Sequence, residues 1–479
     1  MKSATFRGLR QLLWPKGNSS SDAPRQLRPT AYLDGLRGFA AFLVYIHHHQ
    51  LWAHDLRAYV VFENAYGYDN EYHLATLPGI RNFFTGGHMA VGIFYIISGY
   101  VLSVKPLSLI HAGEHLKLFD NIASAFFRRW FRLYIPIMVT TLVSAVSWHL
   151  FGNVIWNPTW EGKSTIAEEL WNWYMEIKNF SFIYKEGWPW VSYNTHLWSI
   201  PLEMRGSLIT YTACIALARA SHQARLLCLL ALTYYFLYVV DGYYCALFTA
   251  GMIHCDLDLL AKREGGYFPR WLRRLEPYKV PIFYTLFVFG MYLGGVPSHT
   301  QDLEDLRKSP GWYYLSFLKP QAVFDYKWFY LFFAGNMIVA CIPRMPWLKR
   351  FFESRFCQFL GRVAFSLYLV HGPILATVGD RLYYMVGWVR DAADKHERVA
   401  HWANLFPLPK TGPMGLELGF LLPNIILLPF TLWVADVVTR GVDEPAVKIA
   451  AKLYKLVQSG EEQEQQQRPM TLAPLTRVD

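Results

Sequence analysis

The sequence predicts an all-α integral membrane bundle of about ten transmembrane helices with both termini on the cytoplasmic side. Three observations lead there. Hydrophobic residues make up 53% of the 479-residue chain and charged residues only 17%, against about 25% charged in an ordinary soluble domain. The chain carries 18 Trp, 30 Tyr and 33 Phe, and amphipathic rings favour the membrane–water interface. Apolar runs close to the ~20 residues that cross a ~30 Å hydrocarbon core recur along its whole length.

Ten candidate spans follow in order: Leu36–Leu51, His88–Val104, Arg132–Leu150, Trp198–Ala218, Leu226–Val240, Tyr243–Leu259, Val280–Val296, Trp328–Ile342, Val363–Val386 and Met414–Val438. The first is short and ends among histidines, and only Asp241-Gly242 separates the fifth from the sixth. If the N-terminus is cytoplasmic and every span crosses, the inner segments hold 30 Lys/Arg and the outer ones 12. That asymmetry is the positive-inside rule, and it supports an even number of spans.

Residues 1–31 form a basic N-terminal segment, expected to be cytoplasmic. It lacks an apolar stretch that a signal peptidase would follow, so the first span is expected to be a retained signal anchor. A transmembrane domain is expected over 32–447, and a cytoplasmic, disordered tail over 448–479. After Gly460 the tail becomes low-complexity and is expected to be disordered. The net charge of +10 raises nucleic acid as a partner. The basic residues, however, sit in short clusters between apolar runs, and no nucleic-acid motif accompanies them. The six cysteines, Cys214, Cys228, Cys245, Cys255, Cys341 and Cys357, make no CxxC pair and fall within or beside apolar runs. They are expected to be buried, inert thiols that support neither a zinc site nor a disulfide framework.

Five polar constellations interrupt the apolar pattern. In the first span, Asp34 is a candidate N-cap, and Arg37 and His48 are eleven residues apart. At 100° per residue they share one helix face, about 16 Å apart along the axis, while His47 and His49 point about 100° to either side. A cation at a channel mouth suits a phosphate, and a deep imidazole suits general-base work. An interfacial arginine and a hydrogen-bonded core histidine would explain the same residues, although three consecutive histidines at depth are costly. Arg129 and Arg132 share a face at the expected cytoplasmic end of the third span, as a phosphate clamp or as an ordinary basic flank. Ser98-Gly99 in the second span favours close helix packing. In His196-Leu197-Trp198-Ser199-Ile200-Pro201-Leu202-Glu203, Pro201 suits a first helical turn, and Glu203 lies about as deep as His48 and needs a partner. In Tyr368-Leu369-Val370-His371-Gly372-Pro373, Pro373 is expected to kink the ninth span and free carbonyls. His371 suits either a packing or a ligand role there.

Taken in order, these segments resemble the acyltransferase-3 family of multi-pass membrane acyltransferases over roughly Tyr32–Val447, and fungal members most of all. The family's arginine–ten residues–histidine motif maps onto Arg37 and His48, its arginine–x–x–arginine motif onto Arg129 and Arg132, and its Ser-Gly onto Ser98 and Gly99. Its Trp-Ser-x-x-x-Glu element maps onto Trp198, Ser199 and Glu203, its Tyr-Leu-x-His element onto Tyr368 and His371, and its closing Glu-Pro onto Glu444 and Pro445. Met204 and Arg205 stand where many bacterial members carry aromatics.

The resemblance implies an O-acyltransferase that moves an acyl group, expected to be acetyl, from coenzyme A to a hydroxyl of a small metabolite or glycan. Acyl-coenzyme A is a co-substrate on this reading; no cofactor is permanently bound and no metal is required. Arg129 and Arg132 would hold phosphates with Arg37 at the mouth. His48 would be the base, with Glu203 orienting it. Ser98, Tyr368 and His371 are possible additional site residues. An endomembrane such as the endoplasmic reticulum, or the plasma membrane, is the expected location. A transporter or lipid flippase, or a silent membrane scaffold, would share the hydrophobic pattern but would not explain the ordered motifs. The acceptor, the acyl length and the oligomeric state are not encoded in any motif.

Overall fold

A computed structural model describes residues 27–54, 61–152, 161–185, 187–263, 268–388 and 401–458. Most of the N-terminal basic segment, and the tail from 459 onward, lie outside them. The described residues are helical, with one isolated bridge, Val191–Asn194, and no longer strand.

The principal helices are α1 (Ala31–Ala53), α2 (Gly87–Ala112), α3 (His115–Leu150), α4 (Ile166–Phe180), α5 (Ser199–Ala216) and α6 (His222–Tyr238). After them come α7 (Tyr243–Lys262), α8 (Lys279–Gly294), α9 (Tyr326–Cys341), α10 (Arg355–Ile374), α11 (Leu418–Val438) and α12 (Glu444–Val457). Each of the ten expected segments falls on one of these. Five helices are long and apolar enough to cross a membrane by length and composition, or six if Tyr326–Arg344 and Pro346–Phe352, bent by 99°, count as one. Length and composition thus reach half the expected number. The others are shorter or carry more polar residues, as α1 does with its histidine triplet, Asp34 and Arg37.

Several boundaries differ from expectation for identifiable reasons. α1 starts at Ala31 with Thr30 as N-cap, so Asp34 is not a cap but a first-turn acid, where the helix dipole favours it. It takes a hydrogen bond from Arg28 at 2.7 Å. α3 begins at His115, so Arg129 and Arg132 sit inside a continuous helix and not at its end. α4 lies in the expected outer connection between the third and fourth candidate spans, and a capping box of Thr165 and Glu168 starts it. Residues 448–457, assigned to the tail, belong to α12. All six cysteines are free thiols, five of them buried.

α1 and α10 run side by side in the same direction. The Arg37 guanidinium donates to the Gly361 carbonyl at 3.0 Å, and His48 Nδ1 meets His371 Nε2 at 3.2 Å. The two contacts are eleven residues apart on α1 and ten on α10, so the helices hold register over three turns. Glycine permits the approach: a Cβ on Gly38 would overlap the Gly361 backbone. Pro373 lies inside α10, which runs on through a π turn, Leu375–Gly379, into Asp380–Met385. The proline withholds one N–H, and the Leu369 carbonyl instead accepts from Asn194 Nδ2 at 2.8 Å.

Candidate active site

A cavity of about 150 Å³ opens between α1, α2, α3, α5 and α10. Arg37, Arg129, Arg132 and Arg362 line it together with Asp443, and Ser199 and Tyr368 also contribute to its wall. Their positions along α10 give it direction: Arg362 sits near Arg37's contact at Gly361, and Tyr368 lies two turns further on.

The arginines differ in what holds them. Arg129 is ion-paired with Glu203, and its Nε donates to Ser207 Oγ at 2.9 Å. Arg362 pairs with Asp436 at 2.6 Å. Arg37 donates to Gly361 and lies 3.8 Å from Asp34. Arg132 makes no hydrogen bond or ion pair among the described residues, although Asp443 is among the charges around it. The expected pair of equivalent clamps is therefore unequal: Arg132 has a guanidinium to offer, whereas Arg129 is already committed.

Glu203 accepts from Ser98 Oγ at 2.6 Å as well as from Arg129. Both side chains of the ion pair are nearly buried, so each satisfies the other's need for a counter-charge. No hydrogen bond joins Glu203 to His48 among the described residues, so the expected orienting carboxylate is not in place.

A histidine takes that position. His371 Nδ1 lies 2.9 Å from the Tyr368 carbonyl and 3.2 Å from that of Leu367. Carbonyls only accept, so Nδ1 carries the proton and Nε2 presents a lone pair. His48 Nδ1, 3.2 Å from that lone pair, must then donate. The hydrogen-bond partners thus assign the tautomer of His48, leaving its Nε2 as the basic nitrogen. His196 completes the group, its ring centroid 4.1 Å from that of His48 and 4.9 Å from that of His371. Tyr368 links the cluster to the cavity: its hydroxyl is bonded to the His196 carbonyl and lies 2.7 Å from Ser199 Oγ. Tyr95 donates to the Ser199 carbonyl at 3.1 Å and braces the same wall.

The other two members of the triplet diverge as the 100° step requires. His49 Nδ1 lies 2.8 Å from the Tyr383 hydroxyl, and the His47 ring packs against Gly87 and His88. The structure thus brings Arg37, Ser98, Arg129, Arg132, Glu203 and Tyr368 to one cavity, with His48 and His371 behind Tyr368. His196, Ser199, Arg362 and Asp443 were not among the expected site residues, although His196 and Ser199 belong to the same motif as Glu203.

A family model described as an acyltransferase domain, of the acyltransferase-3 family, matches residues 30–440. Three fungal proteins are similar over nearly their whole length. The O-acetyltransferase PaAT-1 of Phomopsis amygdali is 26% identical over 94% of this chain and 90% of its own. Acyltransferase R4 of a Phoma species is 23% identical over 90% and 97%. Acyltransferase clz18 of Cochliobolus lunatus is 23% identical over 89% and 96%. No solved structure matches. The chain belongs to the acyltransferase-3 family, and its apolar helices mark it as a membrane protein.

Proposed function

We propose that this acyltransferase uses acyl-coenzyme A, with acetyl as the acyl group, and transfers that group to a hydroxyl of a small metabolite or glycan. The observation that carries the reading is the register of α1 against α10, which sets a cation-lined cavity at one pair of contacts and an oriented imidazole at the other. Arg132 and Arg37 hold donor phosphates at the mouth, as guanidiniums do well. Arg129 keeps Glu203 neutralised beside them.

At the far end, His48 Nε2 takes the proton of the acceptor hydroxyl as its oxygen attacks the thioester carbonyl. Collapse of the tetrahedral intermediate breaks the carbon–sulfur bond, and the proton passes from His48 to the departing thiolate. The ester and free coenzyme A are the products, and atoms and charge balance without an oxidant or a metal. His371 keeps His48 in the required tautomer, a role that a carboxylate fills in hydrolase triads. The name of the Phomopsis relative, an O-acetyltransferase, supports acetyl as the group moved.

The full reading has ten spans with both termini in the cytoplasm of an endomembrane or plasma-membrane protein, supported by the 30 to 12 division of Lys/Arg. Two experiments test it. Purified protein with labelled acetyl-coenzyme A and a panel of hydroxyl acceptors should yield labelled ester. No transfer, with uptake of substrate into vesicles, would make it a transporter. Single cysteines at Ser164 and Arg274 should react with an impermeant reagent from the outside and from the cytoplasm, respectively; the reverse pattern would put the donor site on the wrong side of the membrane.

A further inference from the structure

We propose that His47, Glu63 and His88 form a binding site for a first-row divalent transition ion, zinc above all, that fastens the segment between α1 and α2 onto the bundle. One ligand atom from each lies within 4.8 Å of the others. The three come from separate places: His47 from α1, Glu63 from the stretch after it, and His88 from the first turn of α2.

Three buried atoms there have no hydrogen-bond partner: His47 Nδ1, His88 Nδ1 and Glu63 Oε1. His47 and Glu63 are only 4% and 3% exposed. A carboxylate oxygen buried without a donor is expensive, and a cation held between three residues that each bury an unpartnered ligand-type atom would relieve that cost. The outer contacts suit ligation as well. Gly87 leaves the space the ring occupies, since a Cβ there would lie 2.8 Å from His47 Cγ. Arg81 donates to the carbonyls of Phe62 and Asn64 on either side of Glu63 and so fixes the segment that carries it.

Two imidazoles and one carboxylate suit zinc, cobalt or ferrous iron, whereas magnesium and calcium prefer all-oxygen shells. Bonds of about 2.0–2.2 Å in a tetrahedral shell put ligand atoms ~3.4 Å apart, so the side chains must draw in slightly around the ion. The neighbouring charges do not forbid it: Lys327 is paired with Asp325 at 2.9 Å, and the Glu63 carboxylate offsets Arg81. A second histidine group, His48, His196 and His371, also has metal-ligand spacing. There, however, His48 and His371 already satisfy each other. The proposal is independent of the acyl-transfer reading, because no step of that mechanism passes through the ion.

The test is metal content of the full-length protein, purified in detergent, dialysed against zinc and then washed free of loose metal. One zinc per chain is expected. Glu63→Gln, which keeps the shape of the side chain, and His88→Ala should both lose it, whereas His196→Ala and His371→Ala should keep it. Zinc should also raise the melting temperature of the parent and leave that of Glu63→Gln unchanged. A parent that holds no zinc, a Glu63→Gln variant that still does, or a loss confined to His196→Ala and His371→Ala would each overturn the assignment.

Discussion

The two ends of the site solve the problem of burying polar groups in opposite ways. At the mouth the groups are ions, and most are held by counter-ions: Arg129 by Glu203, Arg362 by Asp436, Arg37 partly by Asp34. Behind Tyr368 they are imidazoles, held by backbone carbonyls and by one another. A paired ion keeps its charge and suits the anchoring of phosphates. A neutral imidazole with one nitrogen committed suits a proton that must come and go. On the proposed reading, binding and chemistry fall to different residues, and substitutions at the two ends should damage different measurements.

The largest effect belongs to the imidazole end. His48→Ala should lower acyl transfer by about 10²–10⁴-fold, the usual cost of a lost general base, while coenzyme A still binds by calorimetry. His371→Ala removes only the partner that sets the tautomer, so its loss of rate should be smaller and should again spare donor affinity. An active His48→Ala enzyme would dissolve the division between the two ends.

Within the mouth, Arg129 and Arg132 should separate. Arg129→Ala leaves Glu203 as an uncompensated, nearly buried charge, and breaking such a pair costs about 3 kcal/mol or more. The melting temperature should therefore fall, and substituting Glu203→Gln in addition should restore part of it. A melting temperature equal to the parent's would mean that the pair does not hold the helices together. The smallest effect is expected from Arg132→Ala, which has no partner to abandon. It should weaken coenzyme A binding by about tenfold to a hundredfold, the worth of one charge-assisted contact at about 1.5–3 kcal/mol, with little change in melting. Unchanged affinity would return Arg132 to the ordinary basic flank of a membrane helix.

How legible these features were depended on their range. The ten apolar segments were visible because lipid-facing and core positions alike demand apolar residues, and every one of them is helical. The face shared by Arg37 and His48 was also visible, since helical geometry alone fixes it, and both do meet α10. Helix ends were less so: α3 starts at His115 because an amphipathic stretch outside the apolar run continues the same helix. The start of α4 is legible in Thr165 and Glu168, the S/T-x-x-E pattern of a capping box. The partners of Glu203 and His48 were beyond reach. Ser98 and Arg129 lie 105 and 74 residues from Glu203, and His371 lies 323 residues from His48, and only the packing of α2, α3 and α10 brings them in. The triad pattern implies a carboxylate beside His48, whereas the fold places His371 there.

Pro373 shows how an omission can carry information. A helix with its full set of N–H groups keeps its carbonyls to itself and offers a passing segment nothing to hold. By withholding one donor, Pro373 leaves the Leu369 carbonyl open, and Asn194 takes it. Asn194 also accepts from the His196 backbone N–H at 3.3 Å. The gap that Pro373 leaves in the ladder of α10 thus serves as an address at which the segment before α5 docks, and the imidazole two residues along arrives beside His48 and His371. Any other residue at 373 could return that carbonyl to its own helix and erase the address, without touching a group that takes part in the chemistry.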